Sequence, residues 1–474
     1  MGYDSRVSDV VTSSAAQVLE DVARRAVAYL QQIVNRRVAP SDEAVTALRT
    51  LQRPFPESPM STAAIVDHLD RLGSPATIAN NSGRYFGFVN GSAMPASIAA
   101  SWMVAAWDQN VSLRVMSPAA VAFEDLALEW VRDVLGLPSG CAGALVTGAT
   151  MANFTGLAAA RHALLARVGW DVEEKGLFGA PPLRVVVGDE VHVSLIKALG
   201  MIGLGRGRVE RVAVDGQGRM RADALPPLDA STIVCIQAGN VNSGAFDRAR
   251  EICQRAHEAE AWVHVDGAFG LWAAASPRYA HLTDGFAQAD SWATDAHKWP
   301  NANYDCGLAL VRDAEALRAA MSISAAYAPP GARREPWQHN PEMSRRARGV
   351  ELWATLQSLG RRGLAELIER TCAHARRFAD GLRAAGFEIL NDVVINQVLV
   401  SFGEPAITRA TIARIQEEGT CWCGATEWQG RTAMRISVSS WMTTTEDVDA
   451  SLAAMIRAAG ECRAASTDGR RGTS

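Results

Sequence analysis

Between residues 144 and 311 the chain alternates short apolar runs with stretches of helical composition, and that alternation limits the folds open to it. The runs fall at 144–147, 183–187, 208–214, 231–237, 261–265, 291–294 and 307–311. Runs such as Val185-Val186-Val187 are apolar on both strand faces, which suits a sheet covered on each side by helices. Most runs are separated by enough chain for a crossover helix. The spacing therefore predicts an α/β fold built on a mainly parallel seven-stranded sheet. Such sheets collect ligands at the carboxyl ends of their strands, so chemistry is sought there.

Two of those ends carry complementary groups. The run 261–265 leads into Asp266, within Ala261-Trp262-Val263-His264-Val265-Asp266-Gly267-Ala268. The run 291–294 leads into Asp295-Ala296-His297-Lys298. One strand delivers a carboxylate and a later one delivers an amine. Pyridoxal phosphate needs both: an amine for a Schiff base, and an acid to keep its pyridine nitrogen protonated. Either residue alone reads as an ordinary strand-end aspartate or loop lysine; together, in this order, they point to that cofactor. Gly148-Ala149-Thr150 follows the first run and opens a helix to about residue 167. Small residues there let backbone N–H groups approach a phosphate, whose charge the helix dipole favours. The alternative is a plain helix start capped by Thr150. His192, after the second run, reads either as a flat ring stacked on the pyridine or as a capping or core histidine. Asn240 reads almost equally as a contact at the cofactor rim and as a turn former.

Composition excludes other classes. A net charge of −4 offers no basic field for nucleic acid or an anionic membrane. No run approaches the roughly 20 apolar residues that span a bilayer. Residues 1–14 are polar, without the basic-then-apolar pattern of an export signal, so a cytoplasmic enzyme is expected. Eight scattered cysteines do not make a disulfide framework, and Cys421-Trp422-Cys423 lacks the further ligands that a zinc site needs. No metal is expected.

Around the sheet, residues 15–36 place Val18, Leu19, Val22, Ala26, Tyr29, Leu30 and Ile33 on one helical stripe. A proline-rich stretch and a second amphipathic segment, 63–72, follow. The stripe must be buried on the main body or on a second subunit. After about residue 366 an Arg- and Ala-rich helix leads into strands at 387–390, 397–402 and 434–438, with helices at 408–418 and 445–459. The expected division is an N-terminal helical dimerisation segment (1–85), a large cofactor-binding domain (86–366), a small α+β domain (367–462) and a disordered polar tail (463–474).

His297-Lys298, His264-Val265-Asp266-Gly267-Ala268, Gly148-Ala149-Thr150 and the spaced His192 together resemble the group II pyridoxal-phosphate decarboxylases, on the fold type I scaffold. That family includes aromatic-L-amino-acid and glutamate decarboxylases. The similarity spans about 80–460, and Met116-Ser117-Pro118 and the segment from Arg345-Arg346 to Gly360 also fit its layout. By this resemblance Lys298 carries pyridoxal 5'-phosphate, Asp266 pairs with the pyridinium nitrogen and His192 stacks on the ring. Ala149 and Thr150 hold the phosphate, Ala268 packs beneath the ring, and Asn240 and Gly360 complete the cofactor set. His297 stands beside the Schiff base as a proton-transfer group. The resemblance implies a homodimer. It places Phe88, Val89 and Asn90 near the substrate, with Ser112 and Leu113 reaching in from the neighbouring subunit.

The chain also departs from the family pattern. Aromatic decarboxylases carry a tyrosine on a mobile loop that returns a proton after carbon dioxide leaves. The matching stretch here, 328–339, has no tyrosine, although Tyr327 stands just before it. His339 reads either as the substitute acid or as a plain loop histidine. The favoured activity is decarboxylation of an L-amino acid to an amine, with an aromatic substrate first and an acidic one second. Two other readings stay open: oxygen-dependent conversion to an aldehyde, and a cofactor-binding protein without turnover.

Overall fold

The computed structural model describes residues 5–323 and 333–471, with side chains for 15–323 and 333–466. Tyr327 and loop positions 328–332 lie outside the described residues.

All seven expected runs form strands: β1 (Ala142–Val146), β2 (Arg184–Gly188), β3 (Val209–Val212), β4 (Thr232–Gln237), β5 (Trp262–Asp266), β6 (Ser291–Asp295) and β7 (Gly307–Val311). They lie in the order β1-β7-β6-β5-β4-β2-β3. The block from β3 to β6 is parallel, whereas β7 is antiparallel to both of its neighbours. The stretch 296–306 between β6 and β7 holds no crossover helix, so the chain can only return antiparallel.

Alternation along the strands divides the core in two. Val185 and Val187 pack with Leu157, Leu164 and Leu199 on one face, while Val186, Val234 and Val263 pack with Ile252, Leu128 and Leu352 on the other. Burial on both faces is the physical reason for the continuous apolar runs.

The small domain contains β8 (Glu388–Ile389), β9 (Gln397–Ser401), β10 (Gly424–Trp428) and β11 (Arg431–Ser437), antiparallel in the order β10-β11-β9-β8. β10 was not anticipated. Of its residues only Trp428 is buried, and it exists by pairing with β11 across Gln429-Gly430. Both turn residues have positive φ (48° and 79°), as a tight hairpin requires. The tail is a correction. The last helix runs Thr445–Arg471, so helix replaces the expected disorder from 463 to 471. Ala464 and Ala465 favour helix, and Arg463 donates to the Phe402 carbonyl and lies over the Phe387 ring.

The N-terminal helix, Ser5–Ile33, docks on its own chain near its end. Ile33 is buried with Val38, Ala79 and Tyr85, and Arg25 pairs with Asp70. Leu19 and Val27 remain exposed.

A buried ion pair ties residue 345 to the helix Pro118–Val134. Arg345 reaches both carboxylate oxygens of Glu124 at 3.1 and 3.0 Å, and Arg334 adds a third bond at 2.9 Å. Removing one partner of a buried pair typically costs ~3–5 kcal/mol. Glu124→Ala should therefore lower the urea midpoint by an amount corresponding to about 3 kcal/mol, followed by far-UV circular dichroism.

Candidate active site

The site forms where β5 and β6 end side by side. Asp266, 5% exposed, accepts from Asn153 Nδ2 at 3.2 Å and from the Ala268 N–H at 3.3 Å. Asp295, 2% exposed, lies 3.1 Å from Lys298 Nζ and 3.6 Å from His297 Nε2. Its other oxygen is buried without a partner among the described residues. His297 Nδ1 accepts the Cys306 N–H, so the neutral ring carries its proton on Nε2, towards Asp295. Burial pushes the His297 pKa down, against the pull of the Asp295 charge.

A strap crosses this centre. The Gly91 N–H donates to the His297 carbonyl at 3.2 Å, and a Cβ at position 91 would lie 2.1 Å from the Lys298 carbonyl oxygen. Phe88 and Val89, just before it, hold φ of 55° and 58°, a region costly for bulky side chains. Asn90 accepts the Tyr304 hydroxyl at 2.8 Å, and the Tyr304 ring stacks on His297 at 4.2 Å. The Phe88 ring, 62% exposed, continues a row through Trp422 to Tyr85 with centroid spacings of 5.4 and 5.3 Å.

An anion cradle faces the same centre. Gly148 precedes the helix Ala149–Arg167 and no side chain caps it, so the first amides keep their donors. A Cβ on Gly148 would come within 3.3 Å of the His297 ring and 3.5 Å of Asp295. The missing side chain keeps the cradle open. His192 both caps the helix Val193–Met201, through Nδ1 to the Ser194 N–H, and feels the charges of Asp266, Lys298 and Asp295. Its two sequence readings are compatible, because capping uses the ring edge and leaves the face. Burial lowers its pKa. From the small domain, Arg435 also reaches His192; burial lowers its pKa to about 10, and it forms no ion pair among the described residues. Its recorded hydrogen bond is to Asn242, at 3.3 Å.

Three expected site residues are engaged elsewhere in their own chain, and a fourth was expected at the neighbouring subunit's site. Asn240 Oδ1 accepts the N–H groups of Asn242 and Ser243, and its Nδ2 donates to the Glu190 carbonyl, so the turn reading prevails. His339 is turned inward by the short helix Pro336–Gln338 and bonds the Glu335 carbonyl. Burial, with Arg334 nearby, pushes its pKa down to about 4, so it is no acid at neutral pH. Gly360 sits at an interruption in the helix Arg348–Ala384, with φ of 58°, in a groove beside Trp130 and Asp133 rather than at the Gly148 cradle of its own chain. Ser112, expected at the neighbouring subunit's site, is buried in its own chain, where its carbonyl accepts the Trp337 N–H.

Sequence reading missed Asp295, Asn153, Arg435 and Tyr304 as site residues. Asp295 alone carried a legible signal, three residues before Lys298 at a strand end.

An amine, two buried carboxylates, an uncapped helix start and a flat imidazole fit pyridoxal phosphate, and the unpartnered Asp295 oxygen leaves bonding capacity at the same place. This is the site of a pyridoxal-phosphate enzyme. The sequence matches the family model described as the pyridoxal-dependent decarboxylase conserved domain over residues 46–403. It is 28% identical over 400 residues to tryptophan decarboxylase 1 of Oryza sativa subsp. japonica, covering 76% of this chain and 77% of the relative. It is also 28% identical over 329 residues to an acidic amino acid decarboxylase of Homo sapiens, covering 66% of this chain and 62% of that protein. The fold matches the crystal structure of Oryza sativa TDC with PLP and tryptamine at a TM-score of 0.88 and 23% identity, over 95% of this chain and 98% of that one. The chain belongs to the pyridoxal-dependent decarboxylase family, whose members are amino-acid carboxy-lyases that use pyridoxal phosphate.

Gly91→Ala tests the strap. The added methyl group would meet the backbone of Lys298, and misplacing a reacting group by 1 Å can cost on the order of 10²-fold in rate. The variant should fold, by circular dichroism, yet lose pyridoxal phosphate on dialysis that the parent protein withstands.

Proposed function

We propose that this enzyme decarboxylates an aromatic L-amino acid to its amine and carbon dioxide, with Lys298 as the residue that carries the cofactor. The observation that carries this reading is Lys298 Nζ held 3.1 Å from buried Asp295, at the strand end beside Asp266. Bound pyridoxal phosphate supplies the electron sink into which the carboxylate's bonding pair is released. Asp266 would present an acceptor to the ring nitrogen of the bound cofactor, and His192 and Ala268 would pack against its ring. The amides of Ala149 and Thr150 hold the phosphate. Arg435 is a cation without an ionic partner among the described residues, which suits the substrate's carboxylate. The exposed Phe88 ring, extended by Trp422, offers an aromatic face to a substrate side chain.

The reading includes a homodimer and a cytoplasmic location. Trp102 and Met103, 45% and 49% exposed, stand on the helix Pro95–Trp107, where they leave an apolar face uncovered, and Val115 and Met116 after it are exposed too. Ser112 stands just before Val115 and Met116 in sequence, which suits the role proposed for it in the neighbouring subunit. Eight cysteines without a bridge suit a reducing compartment.

One observation favours a second outcome. With no tyrosine in 328–339 and His339 buried, proton return falls to Tyr304, whose ring stacks on His297 beside Lys298. If that return is slow, dioxygen and water intervene. Substrate then yields aldehyde, carbon dioxide and ammonia, and the oxygen leaves as hydrogen peroxide. Each ~1.4 kcal/mol in relative barrier shifts this partition tenfold.

Borohydride reduction of the holoenzyme should fix the cofactor on the peptide containing Lys298, and Lys298→Ala should fold but retain none covalently. A label elsewhere overturns the assignment. The holoenzyme should sediment as a dimer and release carbon dioxide faster from aromatic than from acidic amino acids; the reverse order removes the aromatic reading. For the partition, Tyr304→Phe should raise the aldehyde-to-amine ratio and His339→Ala should leave it unchanged, measured by chromatography with an oxygen electrode. A rise in His339→Ala alone would return the acid role to His339.

A further inference from the structure

Behind Asp266 and its Asn153 partner lies a row of side chains to which the site as described gives no role. Trp262, His264 and Asp266 alternate along β5 and so point to one face of the sheet, under the helix Ala149–Arg167. Ser291 is the register partner of His264 on β6. Asn153 and Gly156 stand one turn apart on the helix above. A Cβ at Gly156 would lie 2.9 Å from the His264 ring, so glycine makes the room in which the imidazole sits. All members except Trp262 and Asp266 are wholly buried, and those two nearly so.

The contacts run in one line. Trp262 Nε1 lies 2.9 Å from Ser291 Oγ, and Ser291 Oγ lies 2.8 Å from His264 Nδ1. His264 Nε2 is 2.8 Å from Asn153 Oδ1, and Asn153 Nδ2 is 3.2 Å from Asp266 Oδ2. Chemistry at the two ends fixes the direction. An indole N–H can only donate, and an ionised carboxylate can only accept. Ser291 therefore donates its hydroxyl hydrogen bond to His264 Nδ1, His264 donates from Nε2 to the Asn153 oxygen, and the Asn153 amide N–H donates to Asp266. Burial keeps His264 neutral, pushing its pKa down to about 3. The reverse polarity would aim the Asn153 oxygen at the carboxylate.

We propose that Asn153 and His264 are positioning residues that hold the Asp266 carboxylate in one orientation, as an acceptor towards the cofactor's ring nitrogen. The inference rests on the role proposed above for Asp266. One hydrogen bond to a charged group is worth ~1.5–3 kcal/mol, which corresponds to roughly ten- to a hundredfold in binding. The test is titration of the apo-protein with pyridoxal phosphate, read by absorbance, together with the nitrogen-15 shift of ring-labelled cofactor, which reports protonation of that nitrogen. Asn153→Leu and His264→Phe should weaken retention by on the order of tenfold and move the nitrogen shift towards the unprotonated value. His264→Gln, whose amide can donate from the position of Nε2, should restore both. A purely structural role would lower the unfolding midpoint of the apo-protein, leave the nitrogen shift where it is in the parent, and show no selective rescue by glutamine. If Asn153→Leu does not fold, the His264→Phe and His264→Gln pair decides alone. Wild-type affinity and nitrogen shift in His264→Phe would overturn the inference. Asp266→Asn serves as the separate control: if it too leaves both readings unchanged, the Asp266 role itself is wrong.

Discussion

Two buried carboxylates and a half-buried amine meet at the ends of β5 and β6, and the surrounding structure answers the electrostatic cost of putting them there. An isolated buried charge is too expensive to keep, so each must be paired or hydrogen-bonded. Asp295 takes Lys298, and Asp266 takes the Asn153 amide and the Ala268 N–H. Backbone geometry follows from this arrangement. The strap through Gly91 can cross Lys298 only because it lacks a side chain, and Gly148 keeps the helix start open beside Asp295 for the same reason.

The histidines of this region work as neutral groups. His192, His264, His297 and His339 all have lowered pKa values, with burial the largest cause in each. Positive charge near the cofactor position is thus left to Lys298 and Arg435, which come from different domains. Imidazole instead supplies a flat face at His192 and directed N–H groups at His264 and His297. That division suits an electron-withdrawing cofactor, because a second fixed cation beside the ring would compete with its protonated nitrogen for Asp266.

The large and small domains contribute unequally. The sheet and its first helix furnish every group assigned to the cofactor, while β11 and residue 422 supply a cation and an aromatic ring at the mouth. Relatives named for tryptophan and for acidic amino acids match this chain at the same 28% identity, so family membership leaves the substrate open. In the proposed function, substrate choice falls to the stacked Phe88 and Trp422 rings and to Arg435, whose charge acts on His192.

Much of this was legible along the chain. Burial on both faces demands continuous apolar strands, so all seven runs of the main sheet could be read, and strand ends are where Lys298 and Asp266 had to act. The pair needed no side-chain geometry to be recognised, because the sheet's topology puts those ends together. β10 escaped because an exposed edge strand has no apolar pattern to betray it. Asn153, Arg435 and Tyr304 escaped for a different reason: each matters through a partner distant in sequence, as Asn153 does 113 residues from Asp266. Folding also settled the ambiguous residues. Asn240 is consumed by its own turn, and His339 is buried by a single short helix whose direction no local pattern reveals. The sequence by itself determined the sheet and the cofactor class and singled out Lys298 as the proposed attachment residue, since those readings depend on hydrophobic periodicity and strand-end position. Only the tertiary structure decided which polar side chains reach those groups, because a hydrogen bond depends on distances of about 3 Å that separate segments acquire only on packing.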